Sequence, residues 1–349
     1  MKAIQKNIDQ LIRENVKKLK PYSSARDEFK DFDKDMVFLD ANESPYGDKL
    51  NRYPDPLQRR LKERLAMIKG VQEKQLLLGN GSDEVLDLIF RAFCEPGVDN
   101  VITLPPTYGM YSVLAATNNI ENREVLLNDA LQPDTAAILQ ISDDHSKLLF
   151  ICSPNNPTGN SAKKEVVENL LHNFEGIVVI DEAYIDFSPE ESWASRLDEF
   201  PNLIVIQTLS KAYGLAAIRL GIGIASEEII RVLNKIKPPY NVNLLTQEMA
   251  LKGISETTTV KNHISQILSE KETLIKVLLK VKFVERIFPS DANFLLIKVD
   301  AADKRYEELL SSGIVVRNRS RQPLCEETLR ITIGTPEENQ KLINILNAL

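Results

Sequence analysis

Leu203-Ile204-Val205-Ile206-Gln207-Thr208-Leu209-Ser210-Lys211-Ala212-Tyr213-Gly214, with Ile218-Arg219-Leu220-Gly221 soon after, is the stretch on which the reading of this chain turns. The run Leu203 to Gln207 has the length and residue types of a buried strand. A lysine just past that strand, hydroxyls beside it and an arginine eight residues on suit an amine that tethers a phosphorylated aldehyde. Ser210 can donate to the phosphate and Arg219 can fork onto it. Alone, Lys211 would serve equally as a solvated surface lysine, and Arg219 as a salt bridge at the edge of the core. Their surroundings in the chain have to decide.

Working outward, apolar runs alternate with helical patterns from about 51 to 245. The strand candidates are Gln75 to Leu78, Asn100 to Leu104, Leu148 to Cys152, Ile177 to Ile180, Leu203 to Gln207 and Gly221 to Ala225. Such alternation implies crossover units and a mostly parallel sheet, whose ligands sit beyond the C-terminal strand ends. Before it, Ile4, Ile8, Leu11, Ile12, Val16 and Leu19 recur at helical spacing and predict one amphipathic helix, closed by Pro21. A short strand at Met36 to Leu39 then runs into a turn. After Pro238-Pro239 a long helical stretch covers roughly 244 to 279, followed by strands near 294–299 and 329–333 and a last helix from about Pro336. The expected division is an N-terminal arm with part of a small domain (1–40), a large domain (41–240) and a small C-terminal domain (241–349).

Three further segments fall at predicted strand ends. Gly79-Asn80-Gly81-Ser82-Asp83-Glu84 leads into an apolar helix, so Ser82 can cap it and free N–H groups can meet an anion. The same pattern also makes an ordinary tight turn, and the third glycine of a dinucleotide fingerprint is absent. Ser153-Pro154-Asn155-Asn156-Pro157-Thr158-Gly159 is a rigid turn that sets the amide of Asn156 at a strand end. Asp181-Glu182-Ala183-Tyr184 follows Ile177 to Ile180, where a carboxylate is costly unless it meets a cation such as a protonated pyridine. A helix cap, a surface ion pair or a magnesium ligand are the other readings of Asp181, the last without a Walker A sequence to accompany it.

Composition narrows the field. At 349 residues the chain exceeds one ordinary core, and 43% hydrophobic with 27% charged residues is normal for a soluble globular protein. A net charge of −7 argues against a nucleic-acid partner but leaves an anionic small substrate open, because arginines in a cleft act locally. Cys94, Cys152 and Cys325 are odd in number and far apart, which suits reduced thiols. The histidines at 145, 172 and 263 lack metal-ligand spacing, so no metal is expected. Charges at Lys2, Lys6, Asp9, Arg13 and Glu14 interrupt the N-terminus, and no apolar stretch approaches membrane-spanning length. A cytoplasmic protein without a membrane partner is the expectation.

The order of the pieces is specific. Turn, asparagine, aspartate, then lysine with arginine, each after its own strand, jointly resemble the fold-type I, aspartate-aminotransferase-like enzymes that use pyridoxal 5'-phosphate (PLP). The resemblance covers nearly the whole chain. It implies an α/β fold with a mostly parallel sheet between helices in a large domain, plus a smaller α/β domain. It further implies that Lys211 carries PLP covalently and moves the substrate proton, that Asp181 pairs with the pyridine nitrogen, and that Tyr184 and Asn156 bond the ring's 3-oxygen. Ser82, Asp83 through its backbone, Thr208, Ser210 and Arg219 would surround the phosphate, and Tyr108 would stack on the ring. Tyr53 would reach the phosphate of a neighbouring subunit, which implies a homodimer.

Within that class, Leu39-Asp40-Ala41-Asn42-Glu43-Ser44-Pro45, Tyr53-Pro54-Asp55, and Gly313-Ile314-Val315-Val316-Arg317 followed thirteen residues later by Arg330 resemble the histidinol-phosphate aminotransferase family. Tyr22 resembles its substrate-contacting tyrosine, Asn42 lies in its signature, and Arg317 with Arg330 would bind both a phosphate ester and a dicarboxylate such as glutamate or 2-oxoglutarate. Arg317 also reads as a surface charge in a basic run with Arg319 and Arg321. Asn318-Arg319 replaces the more usual acid-led phrase, and Ala216-Ala217-Ile218 a glycine-containing one. The alternatives are an aromatic or broad-range aminotransferase, a PLP-dependent phospho-amino-acid decarboxylase and, from a different class, an effector-binding regulator built on the same fold. The last needs a DNA-binding domain, for which about forty residues before the large domain are too few.

Overall fold

In the computed structural model, which describes residues 7–22, 26, 37–48 and 50–349, two sheets organise the chain. The first has seven strands: β1 (Leu76–Asn80), β2 (Asn100–Thr103), β3 (Glu121–Glu124), β4 (Ser146–Cys152), β5 (Ile177–Asp181), β6 (Leu203–Thr208) and β7 (Leu220–Ala225), in the order β1-β7-β6-β5-β4-β2-β3. All run parallel except β7, which is antiparallel to both β1 and β6. The second sheet is antiparallel, β10-β11-β9-β8, from β8 (Val284–Ile287), β9 (Phe294–Val299), β10 (Arg317–Asn318) and β11 (Thr328–Thr332).

The central strands are apolar on both faces because helices cover both. Leu149, Ile151, Val178, Ile180, Leu203 and Val205 enter one apolar layer. Their neighbours Leu148, Phe150, Ile177, Val179, Ile204 and Ile206 enter the other. This period of two is what a pleated strand imposes. Each such fully buried side chain contributes roughly 1.5–3 kcal/mol, so the strands easily offset the desolvation of the one carboxylate that ends β5.

Helices α1 (Ile8–Leu11) and α2 (Glu14–Lys18) open the chain, and α3 (Arg59–Lys69), α4 (Gly81–Phe93), α5 (Met110–Thr117), α6 (Thr135–Ile141), α7 (Lys164–Asn173) and α8 (Glu227–Ile236) flank the large sheet. Then α9 (Leu244–Ser255) and α10 (Thr257–Leu278) lead to the second sheet, which α11 (Ala302–Ser311) and α12 (Pro336–Ala348) complete. A separate apolar cluster joins α10, α11 and α12 to β9 and β11. Helix α12 begins with Pro336 after a Thr335–Glu338 capping box, the start signal its sequence carries.

The single N-terminal helix expected from periodicity is two short ones, and its first apolar position, Ile4, lies outside the described residues. Ile12 and Arg13 are extended because tertiary bonds win there: the Arg13 N–H donates to Ala92 O at 3.1 Å and its guanidinium to Arg91 O at 2.9 Å. The long helix expected over 244–279 likewise divides at Glu256. No strand forms at Val37 to Leu39, the described part of the predicted one; these residues lie in neither sheet, and Val37 and Leu39 are exposed. Strand β3 carries no apolar pattern, since a short charged edge strand is how sheets avoid adding further chains.

Candidate active site

The antiparallel β7 puts its first residue at the same sheet edge as the last residues of β1, β4, β5 and β6. Asn80, Cys152, Asp181, Thr208 and Leu220 therefore end or begin strands along one rim. Above that rim lies a cavity of about 490 Å³, lined also by Arg317 and Arg330 of the second sheet and by Arg319 just after β10. Ser82, Asp83, Tyr108, Asn156, Asp181, Tyr184, Thr208, Ser210, Lys211 and Arg219 all line it, so ten residues spread over 138 positions of sequence meet in one place.

Asp181 is buried, and its carboxylate accepts from the Tyr111 hydroxyl at 2.8 Å and the Ala183 N–H at 3.1 Å. Burial outweighs these bonds and raises its pKa to about 6. A cation against the free side of the carboxylate would reverse that shift. Lys211 opens onto the cavity solvent, yet desolvation, with Arg330 and then Arg219 as like charges, lowers its pKa while Asp181 opposes. Its Nζ lies 5.6 Å from the centre of the Tyr184 ring. Tyr184 packs edge-on to Phe294 at 5.1 Å, and burial raises the pKa of its hydroxyl. The Asn156 Oδ1 accepts from Arg330, leaving its amide to donate.

The Arg219 side of the cavity is built from backbone as much as from side chains. Arg219 sits in the left-handed region (φ 54°) and its Nη2 lies 3.8 Å from the Asp83 carboxylate, which also accepts from the Tyr108 hydroxyl at 3.1 Å. Thr208 Oγ1 donates to Ser210 Oγ at 3.0 Å and accepts from the Ser210 N–H at 3.1 Å. Gly221 lies so close beneath the Gly81–Ser82 turn that a Cβ there would sit 2.2 Å from the Ser82 nitrogen. These are backbone atoms and cannot yield without moving the turn. Gly221→Ala should therefore destabilise the apoprotein by about 1–3 kcal/mol and weaken PLP binding with it, measured by thermal unfolding and by titration of the cofactor; normal values of both would contradict this cradle.

Three assigned residues do not reach this cavity in their own chain. Tyr53 stacks on Tyr240 with ring centres 4.4 Å apart, and lines a second cavity that also contains Asn42. Tyr22 is 76% exposed. The physical reason is a knot at Glu43, whose carboxylate accepts from Arg26 at 2.7 Å, Arg52 at 2.8 Å and the Tyr53 N–H at 2.6 Å. It holds the segment around 37–54 away from the chain's own rim. Conversely, Tyr111 and Arg319 belong to the cavity surroundings and were not assigned from sequence. Tyr111 could have been found one helical turn after Tyr108; Arg319 stood in a basic run that reads as surface.

The residues present fit PLP: a buried carboxylate awaiting a cation, an amine of lowered pKa, and a glycine-floored, hydroxyl- and arginine-lined cradle for a phosphate. Fold and site together define a PLP-dependent enzyme of fold type I. The family model for "Aminotransferase class I and II" matches residues 28–346. The histidinol-phosphate aminotransferase of Christiangramia forsetii is 62% identical over 343 residues, covering 98% of each chain, and that of Flavobacterium johnsoniae 60% over 344 residues, covering 98% of this chain and 99% of the other. Among solved structures, histidinol-phosphate aminotransferase from Clostridium acetobutylicum matches with a TM-score of 0.79 at 26% identity, over 86% of this chain and 91% of that one. The chain belongs to the histidinol-phosphate aminotransferase family within the class I and II aminotransferases, and is a PLP-dependent transaminase. Among the described residues no helix is long and apolar enough to cross a membrane.

Proposed function

We propose that this enzyme transaminates L-histidinol phosphate with 2-oxoglutarate, giving imidazole-acetol phosphate and glutamate, in the biosynthesis of histidine. The observation that carries the reading is the pairing of Arg317 with Arg330 in the cavity that Lys211 also lines. The two arginines are direct cross-strand partners, and neither has a carboxylate partner among the described residues. Like charges facing each other on adjacent strands repel. An anionic substrate end supplies what they lack, and it can be a phosphate in one half-reaction and a carboxylate in the other. The relatives named above support the same choice.

In this reading Lys211 would hold PLP covalently, and its free amine would carry the proton away from the substrate carbon that bears the amino group. PLP would supply an electron sink for the charge left on that carbon. Asp181, held by the Tyr111 hydroxyl, would keep the pyridine nitrogen protonated. Asn156 and Tyr184 would bond the ring oxygen, Tyr108 would stack on the ring, and Ser82, the Asp83 backbone, Thr208, Ser210 and Arg219 would take the phosphate. The proposed division keeps 41–240 as the large domain, 1–40 as arm and 241–349 as small domain.

The functional unit in this proposal is a cytoplasmic homodimer. Val37, Leu39, Tyr46, Leu50 and Tyr53 are more than half exposed within one short segment, an apolar surface of the kind that a second subunit covers. Tyr53, Asn42 and Tyr22 would then serve the partner's cavity. Side-by-side kinetics test the substrate: kcat/KM for histidinol phosphate should exceed that for histidinol, which lacks the phosphate, by about 100-fold or more, since unmet arginines in a site reject a ligand without the anion. Equal rates with the two amines would sink the assignment.

A further inference from the structure

We infer that Arg319 is a specificity-determining residue of the substrate cavity, a third guanidinium that matches the anion site to a phosphate group and adds little for a carboxylate. The inference rests on the proposed reaction and goes beyond the Arg317–Arg330 pair. Arg319 lies two residues after Arg317, one residue past the short strand β10, and both side chains line the same cavity. Its backbone is fixed: the N–H donates to Thr328 O at 2.9 Å and the carbonyl accepts from the Gln322 N–H at 2.9 Å. Between the two arginines Asn318 turns the other way and donates to Asp303 at 2.6 Å. Arg319 and Gln322 line the same cavity as Arg317 and Arg330.

What marks Arg319 is its lack of partners. It is half-buried, its Nε is fully buried without a hydrogen-bond partner, and it makes no ion pair among the described residues. Gln322 Oε1 and Ser320 Oγ on the same loop are also buried without partners. Desolvation, then Arg330 and Arg317 as neighbouring positive charges, lowers its pKa, which places the three guanidinium groups within electrostatic reach of one another. A structural arginine would be expected to have its donors satisfied by carboxylates or carbonyls. Three that line one cavity with, among the described residues, a single amide oxygen between them, that of Asn156 on Arg330, form a site for an anion.

Ligand chemistry separates the two possible anions. A carboxylate offers two oxygens and one charge, which a single forked arginine with one helper satisfies. A phosphate monoester offers three terminal oxygens and up to two charges, and can engage a third guanidinium without vacating the other two. Arg319 should therefore matter for the phosphate-bearing substrate and matter little for the dicarboxylate.

The experiment compares wild-type holoenzyme with Arg319→Gln and Arg319→Lys. Removing a charge-assisted hydrogen bond should raise KM for histidinol phosphate by about 10- to 100-fold, while KM for 2-oxoglutarate moves by less than about threefold. Calorimetric titration of the holoenzyme with inorganic phosphate, in a phosphate-free buffer, should weaken by a similar factor in Arg319→Gln and recover in part in Arg319→Lys. Equal rises for both substrates, or no change in phosphate affinity, would overturn the assignment. Absence of turnover of histidinol phosphate by the wild type would instead remove the proposed reaction, and the phosphate titration would still decide the role of Arg319.

Discussion

Lys211→Ala should leave a folded protein that transaminates at least about 10⁴-fold more slowly, the upper part of the range for losing a positioned acid–base group. The loss is compounded by the missing covalent attachment of PLP. Folding should not suffer, because Lys211 opens onto the cavity and its pKa is lowered, so its surroundings resist its charge. Borohydride treatment followed by mass spectrometry checks the attachment directly. Wild type should retain the cofactor's mass on a peptide containing Lys211, and the variant should retain none. A Lys211→Ala variant at full turnover would refute the chemistry assigned to this lysine.

Asp181→Asn should lower activity by about 10²- to 10⁴-fold, since removing one member of a buried charge pair costs about 3–5 kcal/mol. The same substitution should stabilise the apoprotein at neutral pH, and the sign follows from linkage. The unfolded carboxyl loses its proton near 3.8 and the folded one near 6. Over that window the native state binds the extra proton, so the group's contribution to stability is full below pH 3.8 and is lost as pH rises through 6. The shift corresponds to roughly 3 kcal/mol at neutral pH, and a neutral amide does not incur it. With PLP bound, the pyridinium removes the penalty in the wild type, so Asp181→Asn should gain less from the cofactor. Thermal unfolding with and without PLP at pH 5 and pH 8 checks both halves. A variant less stable than wild type without PLP at pH 8 would contradict the picture of a carboxylate strained by burial.

The core of the fold could be read from the chain because its strands are buried on both faces. Runs such as Leu148 to Cys152 and Ile177 to Ile180 have no amphipathic alternative, and a strand of that kind can lie only between helices. The meeting of four site residues at one cavity was legible too, since Asn156 and Lys211 stand just beyond such strands, Asp181 ends one and Arg219 stands just before one. Errors fell where tertiary contacts overrule local pattern. Arg13 trades helix continuation for bonds to Ala92 and Arg91, and β3 pairs with β2 through its backbone and a Thr103–Asn122 side-chain bond, with side chains that carry no apolar signal.

The sequence by itself determined the class of chemistry, because the order of a turn, an amide, a carboxylate and a lysine after successive strands is a local property of each strand end. Only the tertiary structure decided which residues share the cavity. The reversal of β7 brings Arg219 and Gly221 against Gly81. The fold of α5 puts the Tyr111 hydroxyl on Asp181, and the Glu43 knot turns Tyr53 and Asn42 outward. The hairpin of β10 and β11 sets Arg317 against Arg330 and aims Arg319 beside them. A charged side chain looks the same in sequence whether it meets water or a substrate. Its desolvation and its missing counter-charge are properties of the packed chain.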